Sequence, residues 1–416
     1  MDNDIRCCRI CLGNGLTELI DLGHQALTGV FPANKDVKVQ SYKLTLVKCD
    51  TCDLVQLKNN PPLDLMFSEN YGYRSGLNQS MVRHLKSSVE KILKTVQIKK
   101  NDLVVDIGSN DGTLLGFYPD ELALNVVGVD PIGKHFHKYY KKNITLISDF
   151  FPSKELKQKF PHQKAKVITS FSCFYDLERP LDFAKAVQEQ LDQDGVWIFE
   201  QSYLPLMVEK LSYDTICHEH LEYYCLKQLK YVLDHVGMKI IDVDFNGVNG
   251  GSICLFAAHK DSSYAVATAK VKAILDNEKV IGCSTLEYFK KFSNGVVKNR
   301  AALRDLLMSL QKSNKKVVGL GASTKGNVVL QYCQIDETLV SRIGEVNELK
   351  YGKFTPGTQI PIVSEAEISA MKPDYKLVLP WHFKETFLAR EKDFMAAGGQ
   401  LIFPLPQVEI YPKADS

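Results

Sequence analysis

The densest set of ionisable side chains in this 416-residue chain lies at residues 213–224, which read YDTICHEHLEYY. A histidine titrates near neutral pH, so its neutral ring can remove a proton, and a tyrosine hydroxyl can stabilise developing negative charge. His218 and His220 are two residues apart, so the segment lacks the HExxH spacing of a zinc protease helix. A polar helix cap with a structurally satisfied histidine is the alternative interpretation.

A glycine-rich turn within residues 104–115, VVDIGSNDGTLL, indicates a cofactor site. An apolar strand carrying Asp106 is expected to turn sharply into a helix, and Gly108 and Gly112 would let a ligand approach the backbone closely. A later apolar run ends in Asp130, where doubly wound sheets place a carboxylate that binds ribose hydroxyls. The DxGxxxG form is neither GxGxxG nor GxxxxGK[ST], so it favours S-adenosylmethionine over NAD or ATP. A simple turn is the alternative.

The elements that position these residues alternate between strand and helix from about residue 80 to 260. Strands are predicted at Leu103–Ile107, Val126–Val129, Thr145–Ile147, Lys166–Ser170, Val196–Glu200, Lys239–Phe245 and Ser252–Ala258. Alternating units closed by a hairpin predict an α/β fold, the doubly wound seven-stranded sheet of a class I S-adenosylmethionine methyltransferase. Cofactor contacts are expected near the carboxyl ends of these strands, at Asp106, Gly108, Ser109, Asn110, Gly112, Asp130, Pro131, Asp149, Phe150 and Ser170.

Four cysteines near the start of the chain form two CxxC pairs, Cys8 with Cys11 and Cys49 with Cys52. Two such turns supply the four thiolates of a structural zinc site and leave no position for a catalytic water. The metal would fold a domain too small to bury a sufficient core. Cys7 could replace Cys8, although the two-residue spacing favours Cys8. A set of unrelated buried thiols is the alternative.

A second strand-turn-helix pattern begins at Lys316–Leu320 and continues through Ser323, Lys325 and Asn327. Backbone N–H groups at a helix start, with a lysine beside them, would hold an anion such as a diphosphate. Asn327 stands where a phosphate-binding loop has its lysine, so ATP hydrolysis is not expected. Trp381 is predicted to form another edge of this pocket. A tight turn with a solvated lysine is the alternative.

Length and composition fit three domains: a zinc-binding domain at 1–75, a methyltransferase domain at 76–262 and a C-terminal α/β domain at 263–416 that begins with long helices. The chain is 45% hydrophobic and 24% charged, and its net charge of +2 gives no general attraction to nucleic acid or membranes. No apolar signal region or run of roughly 18 apolar residues occurs. Eleven cysteines indicate reduced thiols. We therefore expect a cytoplasmic protein with no nucleic-acid or membrane partner. The oligomeric state stays open, with a monomer as the simplest expectation.

In series, these motifs resemble those of the nucleotide-sugar C-methyltransferases of branched-chain deoxysugar biosynthesis, which carry an N-terminal zinc-binding domain. The resemblance spans the whole chain and includes YxYxS at 71–75, FYDL at 174–177, NGGS at 249–252 and LPWHF at 379–383. It implies S-adenosylmethionine as cofactor and a structural zinc ion. It also implies a nucleoside-diphosphate-linked 4-keto-6-deoxy sugar as substrate, methylated at C3, or in some relatives at C5, through an enolate.

The resemblance also implies roles for individual residues. The family's Glu-His pair at the reacting carbon maps onto Glu219 and His220, with His220 as the base and Glu219 as its orienter or a sugar ligand. Tyr73 and Tyr175 complete the candidate catalytic set. The expected substrate contacts are Tyr71, Ser75, His218, Tyr224, Asn249, Ser252, Ser323, Lys325, Asn327 and Trp381. Some relatives have a tyrosine where this chain has Cys217, so the residue that stabilises the enolate is less defined than the base.

Three other functions fit parts of the sequence. An O- or N-methyltransferase acting on a nucleotide sugar would not need an exchangeable C–H. An NAD-dependent sugar oxidoreductase would use the C-terminal glycine-rich turn, but no acidic partner follows it. A zinc-stabilised binding module with a degenerate methyltransferase fold would not be expected to keep Asp106, Asp130, Glu219 and His220 together. Saturable S-adenosylmethionine binding would separate the methyltransferases from the other two.

Overall fold

The structure is a computed structural model that describes residues 4–62 and 73–413, and these residues form three β-sheets. The first is antiparallel, with the order β1-β2-β3-β9. Its strands are β1 (Leu16–Ala26), β2 (Ser41–Cys49), β3 (Val55–Leu57) and β9 (Glu222–Tyr223). The last strand belongs to residues 213–224, called the HEH segment below. The predicted boundary at residue 75 therefore does not separate this sheet from the rest of the chain.

The second sheet has the seven-stranded order β10-β11-β8-β7-β4-β5-β6. Its strands are β4 (Leu103–Ile107), β5 (Asn125–Val129), β6 (Ile144–Ile147), β7 (Ala165–Phe171), β8 (Leu191–Ser202), β10 (Met238–Asn246) and β11 (Ser252–His259). Five strands are parallel, and β11 pairs antiparallel with both β8 and β10. This is the arrangement predicted from the alternating pattern, and each predicted strand has its counterpart.

Helices accompany this sheet: α1 (Gln79–Thr95), α2 (Lys154–Lys159), α3 (Pro180–Gln190), α4 (Leu204–Glu209) and α5 (Leu226–His235). In α1, Met81, Leu85, Val89 and Ile92 recur at helical spacing and are buried against the sheet. The helix predicted directly after the glycine-rich turn is wrong, because the chain forms only a short 3₁₀ helix at Leu115–Phe117. Gly116 lowers helix propensity there and Pro119 disfavours helical backbone at the residue before it.

The C-terminal region opens with the two long helices that were predicted, α6 (Thr268–Ile281) and α7 (Leu286–Lys312). A six-stranded sheet follows with the order β14-β13-β12-β15-β16-β17, in which only β17 is antiparallel. Its elements are β12 (Val317–Leu320), α8 (Thr324–Tyr332), β13 (Ile343–Glu345), β14 (Ile362–Ser364), α9 (Glu365–Ala370), β15 (Tyr375–Val378), α10 (Lys384–Arg390), α11 (Lys392–Ala396), β16 (Gln400–Phe403) and β17 (Glu409–Tyr411).

One hydrophobic cluster joins the first sheet, the HEH segment and the C-terminal sheet. It includes Leu44 of β2, Ile216 of the HEH segment and Val328 of α8, all fully buried. Burying apolar surface between parts distant in sequence stabilises their relative placement. The HEH segment therefore lies where all three parts of the chain meet. Among the described helices, none is both long and apolar enough to cross a bilayer.

Candidate active site

The four cysteines of the two CxxC pairs converge at one end of the first sheet. The sulfur atoms of Cys8, Cys11, Cys49 and Cys52 all lie within 4.8 Å of one another. Four clustered thiols with no carboxylate or imidazole among them match the S₄ donor set of a structural zinc ion. Cys7 is not part of the cluster, so the spacing argument for Cys8 is confirmed.

The two cysteine turns have the same backbone geometry. Leu12 N–H donates to the carbonyl of Cys8, and Asp53 N–H donates to the carbonyl of Cys49, each at 3.0 Å. Leu12 and Asp53 both adopt the left-handed conformation, with φ of 60° and 61°. Two equivalent tight turns present two thiols each toward a common point. The backbone of these turns therefore places the four thiols where they can bind one metal ion.

The glycine-rich turn after β4 depends on its glycines. Gly108 and Gly112 both have φ of 73°. A Cβ at Gly108 would stand 3.2 Å from the Cβ of Cys173, and one at Gly112 would stand 2.9 Å from the ring of Tyr140. A side chain at either position would therefore combine backbone strain with a steric clash. The turn therefore requires glycine at both positions.

Asp130 fixes the shape of this turn. Its carboxylate accepts hydrogen bonds from the backbone N–H groups of Asn110 and Ile132, both at 2.8 Å. Burial raises the pKa of Asp130, and these N–H groups oppose that rise. The structure thus shows Asp130 joining the ends of β4 and β5.

Asp106 lies beside Asp130 at the end of β4 and is almost fully buried. The hydroxyl of Thr169 donates to its carboxyl at 2.6 Å. Burial, opposed by the hydrogen bond from Thr169 and assisted by the charge of Asp130, raises the pKa of Asp106 to about 7. A carboxyl that is partly protonated at neutral pH can donate as well as accept a hydrogen bond.

Asn110 and Asp111 connect the turn to the segment that follows the undescribed residues 63–72. The side chain of Asn110 accepts from Ser75 N–H at 3.0 Å and donates to the carbonyl of Tyr73 at 3.1 Å. Asp111 accepts from Gly76 N–H at 2.9 Å. The backbone of Tyr73 and Ser75 is therefore bound to the turn after β4. Tyr71 lies outside the described residues.

The remaining predicted cofactor contacts differ in position. Ser109 shares a 2.8 Å hydrogen bond with the hydroxyl of Tyr140. Pro131 follows β5, and Asp149 and Phe150 follow β6 and are exposed. Ser170 is a correction, because its hydroxyl accepts from the indole N–H of Trp197 at 2.9 Å inside the core.

His220 is held in the protonation state that a base requires. Its Nδ1–H donates to the carbonyl of Thr215 at 2.8 Å, which leaves the lone pair on Nε2. Burial and the charge of Lys325, opposed by the hydrogen bond to the Thr215 carbonyl, lower the pKa of His220 to about 3. The ring of Tyr175 packs edge-to-face on the imidazole, with ring centroids 4.3 Å apart. The predicted base and the predicted tyrosine are therefore in contact.

Glu219 faces the first sheet's loop instead of His220. Its carboxylate accepts from the hydroxyl of Thr28 at 3.3 Å, and a Cβ at Gly29 would stand 2.8 Å from it. The carbonyl of Thr28 in turn accepts from the side-chain amide of Asn327 at 2.7 Å. Burial raises the pKa of Glu219. These contacts bring together the loop after β1, the HEH segment and α8.

Two further carboxyls near this cluster carry signals that the sequence analysis did not use. Asp214 accepts from the indole N–H of Trp381 at 2.8 Å, which ties the HEH segment to the C-terminal sheet. Asp176, beside Tyr175, is buried, and both burial and the charge of Glu219 raise its pKa well above the usual range. Their positions within the YDTICHEHLEYY and FYDL motifs could have identified them. His382 also belongs here, since burial and the charge of Lys325 lower its pKa to about 3.

Several predicted substrate contacts are structural residues. His218 is fully buried, and its Nε2–H faces the carbonyl of Tyr42 at 3.3 Å. Tyr224 is fully buried and packs on Phe174, so its ring belongs to the core. The hydroxyl of Ser252 donates to the carbonyl of Val248 inside its own turn, and that of Ser323 caps α8 by accepting from Gly326 N–H. In this structure His218 and Tyr224 are enclosed in the core, and the hydroxyls of Ser252 and Ser323 bond within their own turns, so these contacts support structural roles for the four residues.

Asn249, Lys325, Asn327 and Trp381 do lie at the meeting point of the three parts. The Nζ of Lys325 donates to the carbonyl of Asn249 at 3.0 Å, and the side-chain amide of Asn249 donates to the hydroxyl of Ser172 at 3.2 Å. The C-terminal sheet therefore contacts the carboxyl edge of the methyltransferase sheet directly.

Three family models match consecutive parts of the chain. A zinc binding domain matches residues 8–67, a methyltransferase domain matches residues 78–243, and a C-methyltransferase C-terminal domain matches residues 247–406. The curated protein C-methyltransferase NovU of Streptomyces niveus is 28% identical over 407 residues, which cover 97% of this chain and 96% of that protein.

Solved structures with partial similarity include an S-adenosylmethionine-dependent methyltransferase from Clostridium acetobutylicum and the plantazolicin methyltransferase BpumL in complex with SAH. The first is 14% identical with a TM-score of 0.34 and covers 43% of this chain and 92% of its own. The second is 12% identical with a TM-score of 0.36 and covers 44% of this chain and 87% of its own.

The sheet order, the glycine-rich turn and the methyltransferase match define a class I S-adenosylmethionine methyltransferase with a zinc-binding domain. The zinc binding and C-methyltransferase C-terminal domain matches, together with similarity to C-methyltransferase NovU over almost the whole chain, support a C-methyltransferase activity for this protein. Its cofactors are S-adenosylmethionine and a structural zinc ion, for which the turn after β4 and the four-cysteine cluster provide the fitting residues.

Proposed function

We propose that this enzyme methylates a carbon of a nucleotide-linked 4-keto-6-deoxy sugar, with C3 favoured over C5 and His220 as the base. The observation that carries the proposal is the tautomer of His220. Its Nδ1–H is committed to Thr215, so Nε2 is an acceptor at the junction where Lys325 and Trp381 meet the HEH segment. Methylation at carbon needs such a base to remove the C–H proton. Methylation of a hydroxyl oxygen or an amine nitrogen breaks no C–H bond.

The proposed reaction uses the ketone of the substrate. His220 Nε2 takes the proton from the carbon beside the carbonyl, and the electron pair of that C–H bond moves toward the carbonyl oxygen. The resulting enolate carbon forms a bond to the transferred methyl group, and the ketone is restored. S-adenosylmethionine supplies that methyl from its sulfonium and leaves as S-adenosylhomocysteine. Tyr175 holds the His220 ring by edge-to-face packing.

The proposed binding roles follow from the contacts of the site. Asp106, Gly108, Ser109, Asn110, Gly112, Asp130, Pro131, Asp149 and Phe150 would hold the cofactor along the carboxyl edge of the sheet. Tyr73, Ser75, Asn249, Asn327 and Trp381 would contact the substrate between that edge and the C-terminal sheet. Glu219 would position the sugar from the side of Thr28. We retain the domain bounds 1–75, 76–262 and 263–416 as a proposal, with β9 completing the first sheet.

Proton NMR in D₂O tests the proposal. The enzyme is mixed with a nucleotide-linked 4-keto-6-deoxyhexose, first alone and then with S-adenosylmethionine. We expect the C3 proton signal to disappear and a new C-methyl singlet to follow when the cofactor is added. Exchange and methylation at C5 instead would keep the mechanism and change its position.

The outcome that contradicts the proposal is the absence of both exchange and methylation across dTDP-, GDP- and CDP-linked substrates while cofactor binding is intact. Methylation without any exchange of a carbon-bound proton would indicate an O- or N-methyltransferase. Either result would leave the fold and the cofactor assignment unchanged. It would contradict deprotonation of the substrate at carbon.

A further inference from the structure

Lys325 is a half-buried lysine at this site to which the proposed function assigns no role. It lies in the first turn of α8, and its Nζ donates to one carbonyl, that of Asn249. Among residues 4–62 and 73–413, no carboxylate oxygen lies within the 4.0 Å of an ion pair with this nitrogen. Burial lowers the pKa of Lys325, and the charge of Asp214, which forms no ion pair with it, opposes that fall. An ammonium that donates to one carbonyl and has no directly paired carboxylate keeps further donors for a ligand.

A line of contacts connects Lys325 to the cofactor turn. A Cβ at Gly108 would stand 3.2 Å from Cys173, and the residue before it, Ser172, accepts a hydrogen bond from Asn249 at 3.2 Å. Asn249 then accepts from Lys325 at 3.0 Å. The ammonium therefore lies at the same carboxyl edge of the sheet as the turn that takes the methyl donor.

His220 lies within electrostatic range of the same ammonium. The charge of Lys325 lowers the pKa of His220 and also that of His382, which follows Trp381. Trp381 fixes the HEH segment to the C-terminal sheet through Asp214. The ammonium and the imidazole therefore lie near one another where the C-terminal sheet meets the methyltransferase sheet.

We propose that Lys325 binds the C4 carbonyl oxygen of the substrate and stabilises the negative charge on it when His220 removes the adjacent proton. This inference rests on the proposed function. As the C–H bond breaks, its electron pair delocalises onto the oxygen, where the ammonium donates a charge-assisted hydrogen bond. When the carbon is methylated, the ketone returns and Lys325 keeps its own protons.

The arrangement couples the two groups. In the free enzyme the ammonium opposes protonation of His220, because two positive charges would lie close together in a buried site. An enolate oxygen beside Lys325 cancels that positive charge, so His220 accepts the proton as the enolate forms. Without a neighbouring cation, the pKa of His220 would not depend in this way on the negative charge that develops on the substrate oxygen.

The competing role for Lys325 is the one expected from sequence, the binding of the substrate's diphosphate. Two features favour the carbonyl oxygen. The hydroxyl of Ser323 already satisfies Gly326 N–H at the start of α8, and the Nζ of Lys325 extends away from its own helix to Asn249 in the methyltransferase sheet. A diphosphate ligand at the helix start would need that N–H group free.

The test measures the proton exchange step alone. Lys325→Met, Lys325→Gln and Lys325→Arg are compared with the unchanged enzyme for loss of the C3 or C5 proton signal in D₂O, with S-adenosylhomocysteine in place of the methyl donor. We expect exchange to slow roughly 100-fold or more in the Met and Gln variants, as for the loss of one oxyanion donor, with partial retention in Arg. Binding of the free nucleoside diphosphate, measured by calorimetry, should change less than about threefold.

Lys350→Met is the matched control. Lys350 is another half-buried lysine of the C-terminal sheet, and it donates to the carbonyl of Ala322 at 2.7 Å. We expect Lys350→Met to keep the exchange rate within a few-fold of the unchanged enzyme. Melting temperature and S-adenosylmethionine affinity, recorded for every variant, separate a lost function from a lost fold.

A second measurement reports on geometry without turnover. In the Lys325→Gln variant, the pKa of His220, followed by NMR of ¹³C-labelled histidine and assigned with His220→Gln, should move upward. Normal exchange in the Met and Gln variants with weakened binding of the free nucleoside diphosphate would overturn the inference in favour of the diphosphate role. Absence of exchange in the unchanged enzyme would instead remove the proposed function itself.

Discussion

At the scale of single residues, the site depends on which histidine is left open. His218 and His220 are two apart in sequence, yet they face different surroundings. His218 is fully enclosed beside Tyr42, whereas His220 keeps part of its ring accessible next to Tyr175. Burial lowers the pKa of both, so both are neutral at pH 7, but only the accessible one can act as a base on a substrate.

His220→Asn should abolish proton exchange and methyl transfer while leaving cofactor affinity unchanged, because the ring contributes its lone pair and not a cofactor contact. A loss of at least about 100-fold is expected for a general base. Isothermal titration with S-adenosylmethionine and NMR of exchange provide the two readouts. His218→Asn is the matched control and should retain turnover in the folded fraction. Near-normal turnover in His220→Asn would place the base elsewhere.

His218 should make the protein less stable in acid. Burial lowers its pKa to about 4 from about 6.5 in the unfolded chain, so the unfolded state binds a proton that the folded state refuses. The stability is present above pH 6.5 and is lost as the pH falls toward 4, by up to roughly 3 kcal/mol. Urea unfolding at pH 7, 6 and 5 measures this. The slope should be smaller in His218→Gln, and an equal slope would contradict the assignment.

At the scale of elements, the glycine-rich turn shows how strand ends create a cofactor site. The turn leaves β4 with two glycines at positive φ and is bound to the end of β5 by Asp130 and to the preceding segment by Asn110. Apolar runs identified the strands, since both faces of a parallel sheet are buried. The helix expected after the turn does not form, because Gly116 and Pro119 disfavour helical backbone there. The prediction from sequence did not take these two residues into account.

Asp130→Ala should weaken S-adenosylmethionine binding about 10- to 100-fold, because it removes the acceptor of two buried backbone N–H groups as well as a ribose partner. Asp130→Asn keeps one acceptor oxygen and should lose less. Calorimetric affinity together with circular dichroism separates binding from folding. If the affinity of the Ala variant equals that of the unchanged protein, the carboxylate shapes neither the turn nor the ribose site.

At the scale of the whole molecule, the three sheets depend on one another. The first sheet takes β9 from the HEH segment, with Val55 opposite Tyr223. Arg9, next to the zinc ligand Cys8, faces Glu222 of β9 at 3.5 Å and donates to the carbonyl of Leu57 at 2.7 Å. Metal binding in the first sheet therefore supports the strand that directly follows His220.

Cys49→Ser should lose zinc and destabilise the HEH segment as well as the first sheet. A structural zinc site contributes folding free energy directly, so the melting temperature should fall by several degrees. Metal content by mass spectrometry and amide exchange in β9 are the measurements. Cys7→Ser is the control and should keep a full equivalent of zinc. Full metal content in Cys49→Ser, or unchanged protection in β9, would point to other ligands or to independent domains.

The sequence by itself determined the local features. Hydrophobic runs placed the strands of the seven-stranded sheet, the CxxC pairs identified the four sulfur ligands, and the glycine-rich turn marked the cofactor loop. Each of these depends on residues close together in the chain, where burial, left-handed backbone and thiol spacing act over a few positions. The motif containing His220 was identified for the same reason.

Only the tertiary structure decided which polar side chains remain available. Ser170, His218 and Tyr224 sit in motifs as suggestive as that of His220, yet packing placed them against Trp197, Tyr42 and Phe174. The contact of Lys325 with Asn249 joins residues that are 76 apart in the chain. Spacing along a sequence carries no information about such pairs, because they form when separate sheets bury a common apolar surface.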